Sequence, residues 1–394
     1  MPTWLNELLT GIGLFFVHPL TYIALLFMAW LGYRRVKRER KMFHTGIGAW
    51  TNELFYPLIP GVLAGIVLSS VVLLLGLVFA PAYILMAAML YALLLIVFGA
   101  RFLSAAYALL IAYLLDVGFA FFNVELPFVQ VGQAEAFPVL VLVGLLLIVE
   151  AILLIRLKKP THFSPLRTKS KRGKWIGGQM VERAWLIPIF IFIPGSGFSD
   201  IGWWPVFSFG NEVSLVLLPI LIGHRARSQT ELLYKQIQRT AIRTLWLAVL
   251  ASVGATIVYF DVFSSLVTVS VLFAFVVFVH ILRASREGRQ IPYFTPRSDG
   301  VMILAVITDS PADKMGLKPG EIITKVHQEP VNSEWSFYQK LQINPAYGRV
   351  EVVDAQGEKR IEQAALYDNQ HHELGIIFLK PESREEWHSY DSHG

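Results

Sequence analysis

The stretch PVLVLVGLLLIVEAILLIRL, residues 138–157, carries a single carboxylate and no basic residue before Arg156. Wound as a helix, a run of this length reaches about 30 Å, the thickness of a bilayer's hydrocarbon core. Comparable runs occur at Ile12–Leu31, Leu58–Phe79, Ala82–Ala100, Phe102–Phe122, Leu245–Phe260 and Ser265–Leu282. A longer hydrophobic stretch, Ala184–Gly223, is interrupted by Pro194-Gly195-Ser196-Gly197 and by Pro205. At roughly 40 residues it is twice the span length and predicts a helical hairpin. The expected fold is a polytopic α-helical membrane bundle of about nine spans. Composition agrees: of 394 residues, 55% are hydrophobic and 16% charged, which excludes a soluble globular chain and a disordered one. There is no Cys, so disulfides, thiolate metal sites and cysteine nucleophiles are excluded together.

Charge divides the chain. The overall balance is +5, yet residues 291–394 hold 10 Lys and Arg against 16 Asp and Glu. Three regions are expected: a membrane body over 1–290, a soluble domain over 291–380 and a polar tail over 381–394. Within the body, basic residues cluster at Arg34–Lys41 (RRVKRERK), Arg156–Lys174, Arg225–Arg243 and Arg283–Arg289. The intervening loops, Met1–Gly11, Ala80–Pro81, Asn123–Phe137, Gly195–Val213 and Asp261–Ser264, contain no Lys or Arg. By the positive-inside rule the N-terminus is outside and the acidic tail cytoplasmic. Positive charge follows the first apolar run instead of preceding it, so that run reads as a retained anchor.

The tail reads as a small α/β domain. Val301–Val306 and Ile322–Val326 are expected strands. Ser310 caps a short helix that opens on Pro311 and ends at Gly316. Glu334–Ile343 is an expected helix carrying Phe337, Tyr338 and Leu341. Arg349–Val353 and Lys359–Ala364 are strands joined at Gln356-Gly357. Ser310-Pro311-Ala312 followed by Met315-Gly316-Leu317-Lys318-Pro319-Gly320-Glu321-Ile322-Ile323 resembles the signature of bacterial PDZ domains. Trp335-Ser336-Phe337 and Leu374-Gly375-Ile376 resemble the variant found in site-2-type membrane proteases. Met315, Glu321 and His327-Gln328 depart from the usual Ala, Asp and Asn-Gly.

The PDZ resemblance implies capture of a peptide end as an added strand, with backbone amides on its carboxylate. Glu373, Leu374, Gly375, Ile376 and Ile377 are the first candidates for that loop and strand, and Asp299-Gly300-Val301 the second. The alternative for Leu374-Gly375-Ile376 is an ordinary closing strand with a bulge. Phe337, Tyr338 and Leu341 supply core first and groove wall second.

The sequence carries no complete catalytic or metal-binding motif. No His-Glu-x-x-His helix is present, and His371-His372-Glu373 lacks a third ligand at suitable spacing. Gly197-Phe198-Ser199 with His280 matches a rhomboid protease in letters, but the topology puts the two at opposite faces, about 30 Å apart. Asp116 and Glu150 lie within apolar runs, which marks either an ion path or pairing inside the bundle. The basic loops set topology and can hold anionic lipid headgroups. No cofactor, metal or nucleic acid is implied.

Many spans followed by a C-terminal PDZ domain without a protease motif resembles the MinJ-type topological determinants of cell division. That resemblance implies a non-enzymatic adaptor of the cell membrane, located at septum and poles. It would link a curvature-marking DivIVA-like scaffold to a MinD-like ATPase and so to the MinC–MinD division inhibitor. A PDZ-bearing intramembrane protease and a secretion or transport component are the alternatives. The orientation is tested by reporter fusions. Alkaline phosphatase joined at Lys169 is expected to be inactive, and activity there would overturn the assignment.

Overall fold

The computed structural model describes residues 3–101, 103–124, 130–157, 163–169, 173, 175–199, 202–208, 210, 212–286, 292–344, 347–354, 356–365 and 374–379. The body contains α1 (Thr3–Val17), α2 (Pro19–Phe43), α3 (Asn52–Leu75), α4 (Pro81–Phe98), α5 (Ala105–Phe121), α6 (Ala136–Arg156), α7 (Leu233–Tyr259) and α8 (Ser265–Arg286). Between α6 and α7 run β1 (Ser164–Lys169), β2 (Trp175–Phe198) and β3 (Val213–Ser228).

The helical hairpin expected over Ala184–Gly223 is instead a β-hairpin, with β2 and β3 antiparallel from Gln179↔Ser228 to Pro194↔Val213. Two prolines contribute to the difference, although α3 keeps Pro57 and Pro60 within its helix. Pro188 and Pro219 would each sit inside a helix, at about 3 kcal/mol apiece. In a two-stranded ribbon every other N–H points away from the partner, so proline there removes no ladder bond. Pro188 and Pro219 are register partners, both at such positions. The surrounding Ile, Phe, Leu and Val also suit a pleated surface better than a helix.

The expectation of about nine helical spans is corrected accordingly. Among the described residues four helices are long and apolar enough to cross a membrane, or five with the bent pair α1–α2, and Ala106–Phe121 and Ser265–Val279 are shorter apolar helices. The run Ile12–Leu31 is not one straight helix: α1 and α2 meet at 51° around His18, whose Nδ1 accepts from the Leu20 N–H at 3.2 Å.

A ribbon in an apolar body has two open edges, and unpaired backbone groups there are costly. Beside β2 runs the small-residue stripe Gly61, Gly65 and Ser69 of α3. A Cβ at Gly61 would lie 2.3 Å from the Leu186 carbonyl oxygen, and one at Gly65 2.2 Å from that of Pro188. Only glycine admits so close an approach. The next outward N–H, that of Phe190, donates to Ser69 Oγ at 2.9 Å, and Phe79 N–H donates to the Phe192 carbonyl at 2.9 Å. On the β3 edge, Leu215 N–H donates to Glu7 Oε2 at 3.3 Å and Gly223 N–H to the Leu103 carbonyl at 2.8 Å.

The hairpin also completes helix ends. The last carbonyls of α3 would otherwise be orphaned. Leu73, Leu74 and Leu75 accept from Trp204 Nε1, Val206 N–H and Phe207 N–H at 3.0, 3.1 and 2.9 Å. At this end Phe137, Phe207 and Tyr259 form a ring cluster joining α6, the hairpin tip and α7. At the other end Glu53, in the first turn of α3, is buried and accepts from Arg35 of α2 at 2.7 Å and Arg183 of β2 at 2.8 Å. The positive pole of α3 favours a carboxylate there, and two guanidiniums occupy its oxygens.

The C-terminal unit comprises β4 (Val301–Val306), α9 (Pro311–Lys314), β5 (Ile322–Val326), β6 (Glu329–Pro330), α10 (Glu334–Leu341), β7 (Tyr347–Val353), β8 (Lys359–Ala365) and β9 (Ile376–Phe378). Its sheet order is β8-β7-β5-β4-β9, with β6 on β5. The expected strands and helices are in place. Ser310 Oγ accepts from Asp313 N–H as cap, and His327 and Gln328 take φ of 48° and 73°, the tight-turn geometry usually held by Asn-Gly. Glu321 in place of Asp also has a role: Oε2 accepts from Lys318 N–H at 2.9 Å and from Arg360 Nη2 of β8 at 2.7 Å.

Replacing Gly65 by Leu is expected to force α3 off β2 and destabilise the body by on the order of 2–3 kcal/mol. Gly13→Leu, where an added Cβ meets nothing within 4 Å, is the control. Equal melting temperatures for the two purified variants would refute the packing role.

Candidate functional site

β9 is the edge of the C-terminal sheet, and among the described residues no strand pairs with its outer side. It is fixed to β4 and α9 by two backbone bonds. Ala312 N–H donates to the Leu374 carbonyl at 2.9 Å, and Ile307 N–H to the Gly375 carbonyl at 2.8 Å. In trans peptides a carbonyl and the following N–H point oppositely. Both carbonyls face the domain, so the N–H groups of Gly375 and Ile376 face away from it. Successive amides turned outward around a left-handed residue make an anion-binding concavity. Gly375 has φ of 80°.

The side chains of this segment divide between two faces. Leu374, Ile376 and Phe378 belong to the core under α10, whereas Ile377 and Leu379 point into a second cluster described below. Phe337 of α10 stacks edge-on against Phe378 at 5.0 Å between ring centroids. Phe337 and Leu341 are fully buried. Tyr338 is half-buried, with its ring 6.2 Å from that of Phe378, on the side of α10 that meets β9. The expected site residues Leu374, Gly375, Ile376, Phe337, Tyr338 and Leu341 are thus brought together, with Ile377 on the opposite face of the strand. Glu373, His371 and His372 lie outside the described residues.

Two features were not legible in the sequence. A Cβ at Gly375 would lie 2.2 Å from Ser310 Cβ, so its missing side chain makes room for the α9 cap as well as for a left-handed turn. A substitution there tests folding more than binding. The second concerns the alternative loop Asp299-Gly300-Val301. β4 pairs with β5 at Val301 and Met302 and with β9 only from Ile303 onward, and a Cβ at Gly300 would lie 2.6 Å from the Ile323 carbonyl oxygen, so this loop packs closely on β5.

The other candidates are dispersed. Ser199 is exposed just past the end of β2 at the hairpin tip. His280 lies fifteen residues along α8 from Ser265, about 22 Å by helical rise. Asp116 accepts from Ala134 N–H at 2.9 Å and holds the connection before α6, whereas Glu150 accepts from Ser104 Oγ at 2.6 Å. Ser104 and Asp116 are twelve residues apart along α5, about 18 Å, so the two carboxylates serve opposite ends. Among the described residues no group of three His, Asp or Glu could hold a metal ion.

The sheet's other face is not free. Met302, Leu304, Ala305, Ile322, Ile377 and Leu379 bury against Ile47 and Phe294, with Phe43, Leu232 and Tyr293 around them. Backbone bonds join the units: Gly177 N–H of β2 to the Phe294 carbonyl at 2.9 Å, and Tyr293 N–H to the Gln229 carbonyl at 2.8 Å. Burial pushes the Tyr293 phenol above its ordinary pKa, against the pull of Arg297. At Gly177 an added Cβ would lie 2.7 Å from Leu304 and 2.8 Å from Phe294. A Gly-Gly pair at the start of a strand is the sequence signal of such an approach. Gly177→Val is therefore expected to part the C-terminal unit from the hairpin. Limited proteolysis between residues 286 and 301 should accelerate at least several-fold, and an unchanged cleavage rate would refute the docking.

The family model for the PDZ domain matches residues 293–356. Its match ends before β8 and β9, so the edge strand is placed by the fold alone. The chain is 35% identical over 391 residues, 97% of its length and 98% of the relative's, to "Cell division topological determinant MinJ" of Bacillus subtilis (strain 168). It is 26% identical over 258 residues, 64% of its length and 68% of the relative's, to "Probable cell division topological determinant MinJ" of Lacticaseibacillus paracasei. The protein of that name from Lacticaseibacillus casei (strain BD-II) gives the same values.

Proposed function

The chain belongs to the MinJ family of cell division topological determinants, and from that membership we propose that it is a non-enzymatic adaptor of the cell membrane. The body, residues 1–290, anchors it with the N-terminus outside. The PDZ unit, residues 291–380, stands on the cytoplasmic side, and 381–394 is a polar extension. The partners are a DivIVA-like scaffold at septum and poles and a MinD-like ATPase, brought together at one membrane site.

The observation that carries this reading is the open edge of β9 beside α10. Ile376 lies opposite Val306 in the register, and the Ile307 N–H to Gly375 carbonyl bond makes that a non-hydrogen-bonded pair. The N–H and carbonyl of Ile376 are therefore directed to the side on which a peptide would add. Main-chain pairing there supplies affinity, and the α10 side chains beside it, the half-buried Tyr338 first, supply selectivity.

A Tyr338→Glu change places a charge at this half-buried position; it removes the edge-on ring contact with Phe337 at 5.2 Å but leaves the buried Phe337 and Leu341 themselves in place. It is expected to weaken peptide capture by about ten- to hundredfold. Ile361→Glu, on exposed β8 at the far edge of the sheet, is the control. In dividing cells the Tyr338 variant should reach the membrane at normal levels and fail to gather a fluorescent MinD-like partner. Normal recruitment would remove the groove from the mechanism.

A further inference from the structure

Near the arginine-rich end of the body, a cleft of about 70 Å³ opens between α5, α6, α7, α8 and β3. A single water needs only about 10–15 Å³ of such space, so the cleft is large enough for a polar group of several atoms. Its lining is basic: Arg101, Arg243 and His224 face one carboxylate, Glu150. One Glu150 oxygen is already taken by Ser104 Oγ at 2.6 Å. Arg243 stands apart, because among the described residues it has neither a carboxylate partner nor a hydrogen bond.

Arg243 lies ten residues into α7, and Trp246, three residues on, is 65% exposed on the outer surface of the bundle. Residues three apart are neighbours on one helix face, so the exposed Trp246 flanks Arg243 at the rim of the cleft, and an exposed Trp is the residue enriched where a helix passes the headgroup layer. A planar guanidinium suits a phosphate oxygen pair better than any other anion but a carboxylate.

We propose that this cleft binds the phosphate of an anionic phospholipid headgroup, with Arg243 as its principal contact. The assignment rests on the membrane placement of the body proposed above. It differs from general attraction by the basic loops, because it requires one side chain in one cleft. A soluble phosphate shares the chemistry, and the test separates the two sources.

The experiment uses the full chain purified in detergent, with melting temperature followed against added phosphatidylglycerol, phosphatidylcholine or inorganic phosphate. Phosphatidylglycerol at a hundredfold excess over its dissociation constant should raise the melting temperature by about 3 °C, and phosphatidylcholine should not. Arg243→Gln should weaken the phosphatidylglycerol response at least about tenfold, while Arg243→Lys, which keeps the charge, should retain part of it. Equal responses of wild type and Arg243→Gln would overturn the proposal. Stabilisation by inorganic phosphate at the same concentrations would assign the cleft to a soluble ligand and overturn the lipid assignment. Native mass spectrometry of the wild-type chain decides the matter even if the Gln variant fails to fold: retention of one phosphatidylglycerol per chain in preference to phosphatidylcholine supports the site, and retention of several without a single-lipid step, or of both lipids equally, refutes it. Fractionation of the same proteins with membranes reports separately on the placement of the body.

Discussion

A backbone hydrogen-bonding group without a partner in apolar surroundings is the constraint on which this structure turns. Helices meet it within themselves. The β2–β3 ribbon cannot, because β3 has a partner on one side only and so does β2 beyond Met180, where its pairing with β1 ends. Several separate arrangements close the gap. Pro188 and Pro219 delete outward donors, Ser69 and Glu7 accept others, and Gly61 and Gly65 let a helix lie against the strand. The ribbon returns the support by donating from its tip to the last carbonyls of α3. Neither element is complete without the other.

The same ribbon links the two parts of the chain. Its inner end carries Gly177, whose bare backbone meets Phe294 and the outer face of β4 and β9. The C-terminal sheet therefore has one face in its own core and the other on the body. Ile377 and Leu379 lie in that second interface while Ile376 and Phe378 line the first. The strand proposed to receive a peptide is thus held by both units. Burial of this second face limits motion between the two units.

Much of this was legible in residue order. Val301–Val306, Ile322–Val326 and the Ser310 cap were readable because strands alternate, caps need a hydroxyl and turns need a positive φ, all within a few residues. Charge asymmetry between the halves and the apolar runs were equally plain. The hairpin was not. Length and hydropathy of Ala184–Gly223 suited two helices, and the contrary signals, a mid-run proline and dense Ile and Phe, were outweighed by them. Gly375 was read for its approach to a ligand, while its closest neighbour is Ser310, sixty-five positions earlier in the chain.

The sequence by itself determined the apolar body, its basic and bare loops, and the PDZ-like tail, since each depends on local periodicity, composition or short motifs. Only the tertiary structure decided that the broken stretch is a ribbon. That choice depends on whether a distant helix offers glycines and a serine to a strand edge, and Gly61, Gly65 and Ser69 precede β2 by more than a hundred positions. It likewise decided that the tail's second face is covered and that Arg243 lines a cleft with Arg101 and His224. Contacts of that kind pair residues whose separation in the chain carries no periodic signal, and only folding brings them within reach of one another.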